Sequence, residues 1–180
     1  MAHIDLGVDE HAHPGIIGLV RYRPETGGPL MDLADVLLHA DNSLTRGDRE
    51  LIAAYVSSLN DCAFCASSHS AFAAAQLPGG ADLVSRVRCD GDGAPVPEKM
   101  RALLRIAAAV RSGGREVTPE AVGQARAAGA TDLEIHDTVL IAAAFCMYNR
   151  YVDGLGTITP DDPRGYERAA ASVIEFGYGR

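Results

Sequence analysis

Four side chains in the stretch 50–69 have the types and spacing to act together: Glu50, Cys62, Cys65 and His69. Cysteines at i and i+3 of a helix project from one face, with Cα atoms inside the roughly 4.4–6.8 Å window that a disulfide accepts. The pair can therefore cycle between dithiol and disulfide with little backbone movement. His69 follows Cys65 by four residues and Cys62 by seven, which puts all three on one stripe. The thiolate is the nucleophile, and at a pKa near 8.5 only about 3% of a thiol is ionised at pH 7. Lowering that pKa to about 7 takes about 2 kcal/mol. A helix N-terminus capped by Asn60 or Asp61 contributes roughly 0.3–1 kcal/mol of this, so His69 must supply the rest. If the helices on either side of Asn60-Asp61 fold back on each other, residue 50 comes level with about residue 70. Glu50 then sits beside His69, fixes its tautomer and raises its basicity, in the order orienter, base, nucleophile.

The same residues admit other readings. A thiol peroxidase and a disulfide oxidoreductase would use the dithiol alike, and a non-enzymatic redox-sensing or partner-binding helical protein would also keep one. Zinc could be held by Cys62, Cys65 and His69 with Glu50 or water as the fourth ligand, although one compact helix rarely offers tetrahedral ligation. Cys89, in a glycine-rich loop, and Cys146, in an apolar helix, read as unpaired structural thiols. His11 and His13 read as incidental in a stretch rich in proline and glycine. Asn149, Arg150 and Asp153 read as a buried polar network at a helix or subunit contact.

The elements that position these groups read as all-α. Residues 1–28 contain Pro14, Pro24 and Gly27-Gly28 ahead of Pro29, which predicts an extended arm of the kind that packs on a neighbouring subunit. Residues 29–180 then form a single helical domain. Leu30, Leu33, Ala34, Leu37 and Leu38 make one apolar stripe; Leu51, Ile52, Tyr55, Val56 and Leu59 make the next. Thr45 is a cap for the second helix, and a third runs from the cysteines to about Leu77, stopped by Pro78-Gly79-Gly80. The helical rhythm resumes at Met100 and ends at Gly113-Gly114. Thr118-Pro119-Glu120 opens a helix closed by Gly129, and Thr131 with Glu134 forms a capping box for a long helix to about Leu155. A last helix spans roughly 163–176. No stretch alternates apolar and polar residues as a strand would.

One offset of 84 residues superimposes Glu50, Cys62, Cys65 and His69 on Glu134, Cys146, Asn149 and Asp153. The match suggests an internal repeat of two helical units, the second keeping polarity without the dithiol.

Composition narrows the partners. Apolar residues make up 47% of the chain, but no run approaches the roughly 18 residues of a membrane span. Asp5, Asp9 and Glu10 stand where a secretory signal would carry positive charge, so a cytoplasmic location is expected. With 16 Lys and Arg dispersed against 24 Asp and Glu, nucleic acid is not an expected partner. Four cysteines are too few for a disulfide-stapled scaffold, which leaves the close pair for redox chemistry or metal.

The pattern Glu50-x11-Cys62-x-x-Cys65-x-x-x-His69 resembles the signature of the alkylhydroperoxidase AhpD-like, carboxymuconolactone decarboxylase superfamily. The segments Leu51–Ser57, Arg21–Thr26 and Tyr148–Gly156 are similar to its peroxidase-related branch. The resemblance implies an all-α fold, a homotrimer or homohexamer, and hydroperoxide reduction without cofactor. It further implies that Cys65 attacks the peroxide, Cys62 resolves the sulfenic acid, and His69 with Glu50 relays protons. An external dithiol donor, a lipoyl group or a thioredoxin-like protein, would restore the thiols. Peroxidases of this type carry a histidine immediately before the second cysteine, where this chain has Phe64.

Overall fold

The computed structural model describes residues 1–178, and its regular elements among them are all helical. In chain order they are α1 (Ile16–Tyr22), α2 (Pro24–Leu38), α3 (Arg46–Leu59), α4 (Ala63–Gln76), α5 (Gly80–Cys89), α6 (Glu98–Ser112), α7 (Pro119–Ala127), α8 (Asp132–Gly154) and α9 (Pro163–Phe176), with a 3-10 turn at Gly114–Glu116. No helix of the described residues is long and apolar enough to cross a membrane.

Caps start the helices where the sequence predicts them. The Thr45 hydroxyl accepts from the Asp48 N–H at 3.1 Å to open α3, and Thr118 does the same for Ala121 at 3.2 Å in α7. At α8 the Thr131 hydroxyl takes the Glu134 N–H while the Glu134 carboxylate takes the Thr131 N–H. Each such cap satisfies amide donors that a first turn leaves without partners and is worth about 1 kcal/mol.

The centre of the molecule is α3. Leu51, Ile52, Ala53 and Val56 are buried completely or nearly so, because α4, α5, α6 and α8 all pack around the helix. From α6 come Leu103, Leu104 and Ile106, and from α8 come Ile141, Ala142 and Phe145. Each large apolar side chain so buried contributes roughly 1.5–3 kcal/mol. Arg49 is also buried, 2% exposed. It ties α3 to the end of α2 by donating to the carbonyls of Leu37 at 2.9 Å and Ala40 at 2.7 Å.

Segment 1–28 departs from the expected extended arm. Ile16–Tyr22 is helical, and α2 begins at Pro24 rather than Pro29. Proline at the first helical position has its φ preset and lacks only an amide that would be unpaired there. Pro29, one turn further on, removes a single hydrogen bond, and the helix continues to Leu38. Gly27 lets α1 close onto α2, since a Cβ there would lie 2.5 Å from the Val20 carbonyl oxygen. Residues 1–15 are irregular and lie on their own chain. The His3 N–H donates to the Leu155 carbonyl at 2.7 Å and the Gly15 N–H to Ile158 at 3.1 Å. Leu6 is buried with Leu19, Cys62 and Val152.

The proposed 84-residue repeat does not extend to the turn. Its offset carries the break at Asn60-Asp61 onto Ala144-Phe145, in the middle of the unbroken α8.

Candidate active site

Everything at the site depends on how α3 ends. Asp61 has φ +58 and is the one non-glycine residue among those described in the left-handed region. The Cys62 N–H donates back to the Ser57 carbonyl at 3.0 Å, and the Asp61 N–H to Ser58 at 3.1 Å. These are the two bonds of a Schellman turn, with a short polar residue where glycine is usual. The turn makes Cys62 the N-cap of α4, two and one residues beyond the expected caps Asn60 and Asp61. Cys65 thus falls in the first turn, where the helix dipole favours a negative charge.

The reversal lays α4 along α3 and brings His69 onto Glu50. His69 Nδ1 is 2.7 Å from Glu50 Oε2, with both residues buried. A carboxylate can only accept, so Nδ1 carries the hydrogen and Nε2 is left with a lone pair. Rings hold the imidazole from the sides: Phe145 meets it edge-on at 4.5 Å between centroids, and Phe72 at 5.3 Å.

Both cysteines are free thiols; Cys62 is fully buried and Cys65 is 4% exposed. Their environments push them apart. Cys65 is lowered below the ordinary thiol value, chiefly because Cys62 donates a hydrogen bond to it; His69 and the Asn149 amide act the same way against the opposing effect of burial. Cys62 is pushed up as the donor of that bond, by burial and by the Asp153 carboxylate. Any negative charge on the pair is thereby favoured on Cys65 and the proton on Cys62.

Four residues expected from the sequence are therefore brought together: Glu50, Cys62, Cys65 and His69. Asn149 belongs with them, but the buried network expected of Asn149, Arg150 and Asp153 is not formed: Arg150 and Asp153 are exposed, and the buried Asn149 pairs with Asn60 and Ser57 instead. It accepts from Asn60 at 2.9 Å and donates to Ser57 at 3.0 Å. Cys89 is exposed on α5, and Cys146 stands apart on α8, approached by the Asn60 amide at 3.5 Å. Among the described residues no three His, Cys, Asp or Glu side chains group as ligands for a metal ion.

The sequence reading missed Tyr178. Its hydroxyl donates to Glu50 Oε1 at 2.5 Å, so both carboxylate oxygens are engaged. The signal was one aromatic residue between glycines after the last helix, which carries no information about where the chain returns. A cavity of about 40 Å³ lies over Cys65, walled by His69, Phe64, Met31, Tyr148 and Tyr178.

Residues 24–77, the span from α2 through α4 that carries all four sequence-derived residues, match the carboxymuconolactone decarboxylase family. Among solved structures, the chain is similar to the alkylhydroperoxidase AhpD core of an uncharacterized peroxidase-related protein from Ralstonia eutropha JMP134. The TM-score is 0.75 and the identity 26%, over 86% of this chain and 79% of that one. An uncharacterized peroxidase-related protein from Silicibacter sp. TM1040 has the same fold, with a TM-score of 0.77 at 24% identity, over 86% of this chain and 78% of that one. No curated protein matches the chain significantly. Over residues 24–77 the chain is thus similar to the carboxymuconolactone decarboxylase family, and its fold is that of the AhpD-like, peroxidase-related structures.

Proposed function

We propose that the chain is a thiol-dependent hydroperoxide reductase working through a Cys62–Cys65 dithiol, with His69 and Glu50 moving protons. The observation that carries this reading is the buried hydrogen bond of 2.7 Å between Glu50 of α3 and His69 of α4, His69 lying on the helix that also presents Cys65 in its first turn. A family whose solved neighbours are named as peroxidase-related supports it.

In this reading the Cys65 thiolate attacks the outer oxygen of the hydroperoxide. The O–O bond breaks, its electron pair leaves with the inner oxygen, and that oxygen takes a proton supplied through His69. Cys65 is now a sulfenic acid. The Cys62 thiol attacks its sulfur, the S–O bond breaks, water leaves and the disulfide forms. A dithiol donor, a lipoyl group or a thioredoxin-like protein, reduces the disulfide by exchange and is itself oxidised. The hydrogen bond to Cys65, burial and, least of these, the Asp153 carboxylate favour the protonated form of Cys62 before that second step. Assembly as a trimer or hexamer belongs to the same proposal.

The test is hydroperoxide consumption with dihydrolipoamide as donor, comparing wild type with Cys65→Ser and Cys62→Ser. Turnover should vanish in both, and Cys62→Ser should accumulate sulfenic acid on Cys65. A wild type that consumes no hydroperoxide, yet still closes the disulfide, would instead point to disulfide exchange or redox sensing.

A further inference from the structure

Tyr178 stands 109 residues beyond His69 in the chain, and its hydroxyl lies 3.4 Å from His69 Nδ1. Its position is held from several sides. After Phe176 the chain turns at Gly177, with φ +79, where a Cβ would meet Asp35 Oδ1 at 2.2 Å. Glycine is required both for that dihedral and for that approach. The Tyr178 N–H then donates to the same Asp35 oxygen at 2.9 Å. The ring lies nearly parallel to His69, 20° between planes with centroids 6.1 Å apart, and meets Phe72 at 6.2 Å. Burial and the neighbouring Glu50 carboxylate keep the phenol protonated, so it serves Glu50 as a donor.

Size decides what can enter. The cavity over Cys65 measures about 40 Å³, whereas a cavity of roughly 10–15 Å³ already holds a water and a benzene ring fits a cavity of roughly 150 Å³. Two oxygen atoms fit; an aromatic hydroperoxide does not. Two walls of this cavity come from outside the α2–α4 and α8 framework, Ile16 at the start of α1 and Tyr178 beyond α9, and of these Tyr178 alone also touches Glu50.

We propose that Tyr178 is the positioning and size-selecting residue of the site. Its hydroxyl fixes the Glu50 carboxylate against His69, and its ring closes the space over Cys65 to all but hydrogen peroxide and the smallest alkyl hydroperoxides. The substrate class rests on the peroxidase reading above; the closure over Cys65 does not.

The experiment has two arms. In the first, kcat/KM is measured for hydrogen peroxide and for cumene hydroperoxide in wild type, Tyr178→Ala and Tyr178→Phe. Wild type should prefer hydrogen peroxide, and Tyr178→Ala should reduce that preference by about tenfold or more. Tyr178→Phe keeps the ring, so it should keep the preference while lowering kcat and moving the pH profile. The titratable groups around the missing hydroxyl are Glu50, His69, Asp35 and Tyr148. An equal preference in wild type and Tyr178→Ala overturns the size selection and leaves the peroxidase reading standing. In the second arm, Cys65 is labelled with iodoacetamide and with a pyrene maleimide and located by peptide mass spectrometry. Tyr178→Ala should speed the bulky reagent selectively. That result supports the closure even if no peroxide is consumed, whereas equal acceleration of both reagents, or of neither, overturns it. Tyr178→Leu, which still covers Phe72, replaces the alanine variant should that one fail to fold.

Discussion

His69 Nδ1 and Glu50 Oε2 stand 2.7 Å apart across nineteen positions of sequence, and that contact fixes which imidazole nitrogen is free. With Nδ1–H committed to the carboxylate, Nε2 can take up and return a proton. Glu50→Gln keeps the shape but offers an amide whose NH2 group competes for Nδ1 and removes the negative charge that supports the imidazolium. Hydroperoxide turnover should fall about a hundredfold, the usual loss when a positioned base is compromised. Far-ultraviolet circular dichroism should stay unchanged, because the pair is replaced by an isostere. Steady-state rates at saturating dithiol donor check it, and an unaltered kcat would remove Glu50 from the relay.

The two thiols should separate by pH. Cys65 is lowered first of all by the hydrogen bond from Cys62, and Cys62 is raised by giving it. Iodoacetamide labelling of Cys65 should therefore rise with a midpoint below about 8.5, the value of a free thiol. Cys62 should stay unreactive across the same range. Cys62→Ser retains a donor and should move the Cys65 midpoint little, while Cys62→Ala removes the donor and should raise it. Rates followed by mass spectrometry from acid to mildly alkaline pH give both curves, and coincident midpoints for the two cysteines would contradict the assignment.

The part of this site that sequence revealed is the part built from local order. Helix periodicity, the Thr45 and Thr131 caps and the break at Asn60-Asp61 are all encoded within a few neighbouring residues, so the α3–α4 reversal could be read directly. From that reversal the Glu50–His69 contact follows by counting turns. The first helical segment was misread for a local reason as well: Pro24, Gly27, Gly28 and Pro29 are loop formers in isolation. Here Pro24 opens α2 and Gly27 admits α1 at close range. Tyr178 and Met31 could not be placed by any such rule, because their positions depend on where distant segments return to the core.

Arg49 holds α2 in register with α3. Two of its nitrogens satisfy the carbonyls of Leu37 and Ala40 at the end of α2, and Arg49 is almost completely buried. Arg49→Met keeps much of the volume and leaves those carbonyls unpaired, which should cost about 1–3 kcal/mol. Urea denaturation should show a lower midpoint with an unchanged slope. Because α2 supplies Met31 and Ala34 to the cavity, turnover should fall in parallel. An unshifted midpoint would mean that water replaces the guanidinium.

Two glycines should respond to alanine in opposite ways. Gly15 has φ 59 and ψ −133, a combination that side chains other than glycine adopt only at about 1–3 kcal/mol of strain. A Cβ there would lie 2.3 Å from the Phe64 ring. Gly15→Ala must therefore strain its own backbone and push Phe64, which borders Cys65, out of place. Thermal stability should drop, and Cys65 should become more accessible to iodoacetamide. Gly123, exposed in the middle of α7 with nothing inside 4 Å of an added Cβ, is the contrasting position. There alanine should stabilise the helix by about 0.5–1 kcal/mol and leave Cys65 labelling unchanged. Calorimetry and labelling on the two variants decide it. Should Gly15→Ala melt with wild type, the first fifteen residues do not hold Phe64 over the dithiol, and Phe64 is kept there by α4 and Tyr166 alone.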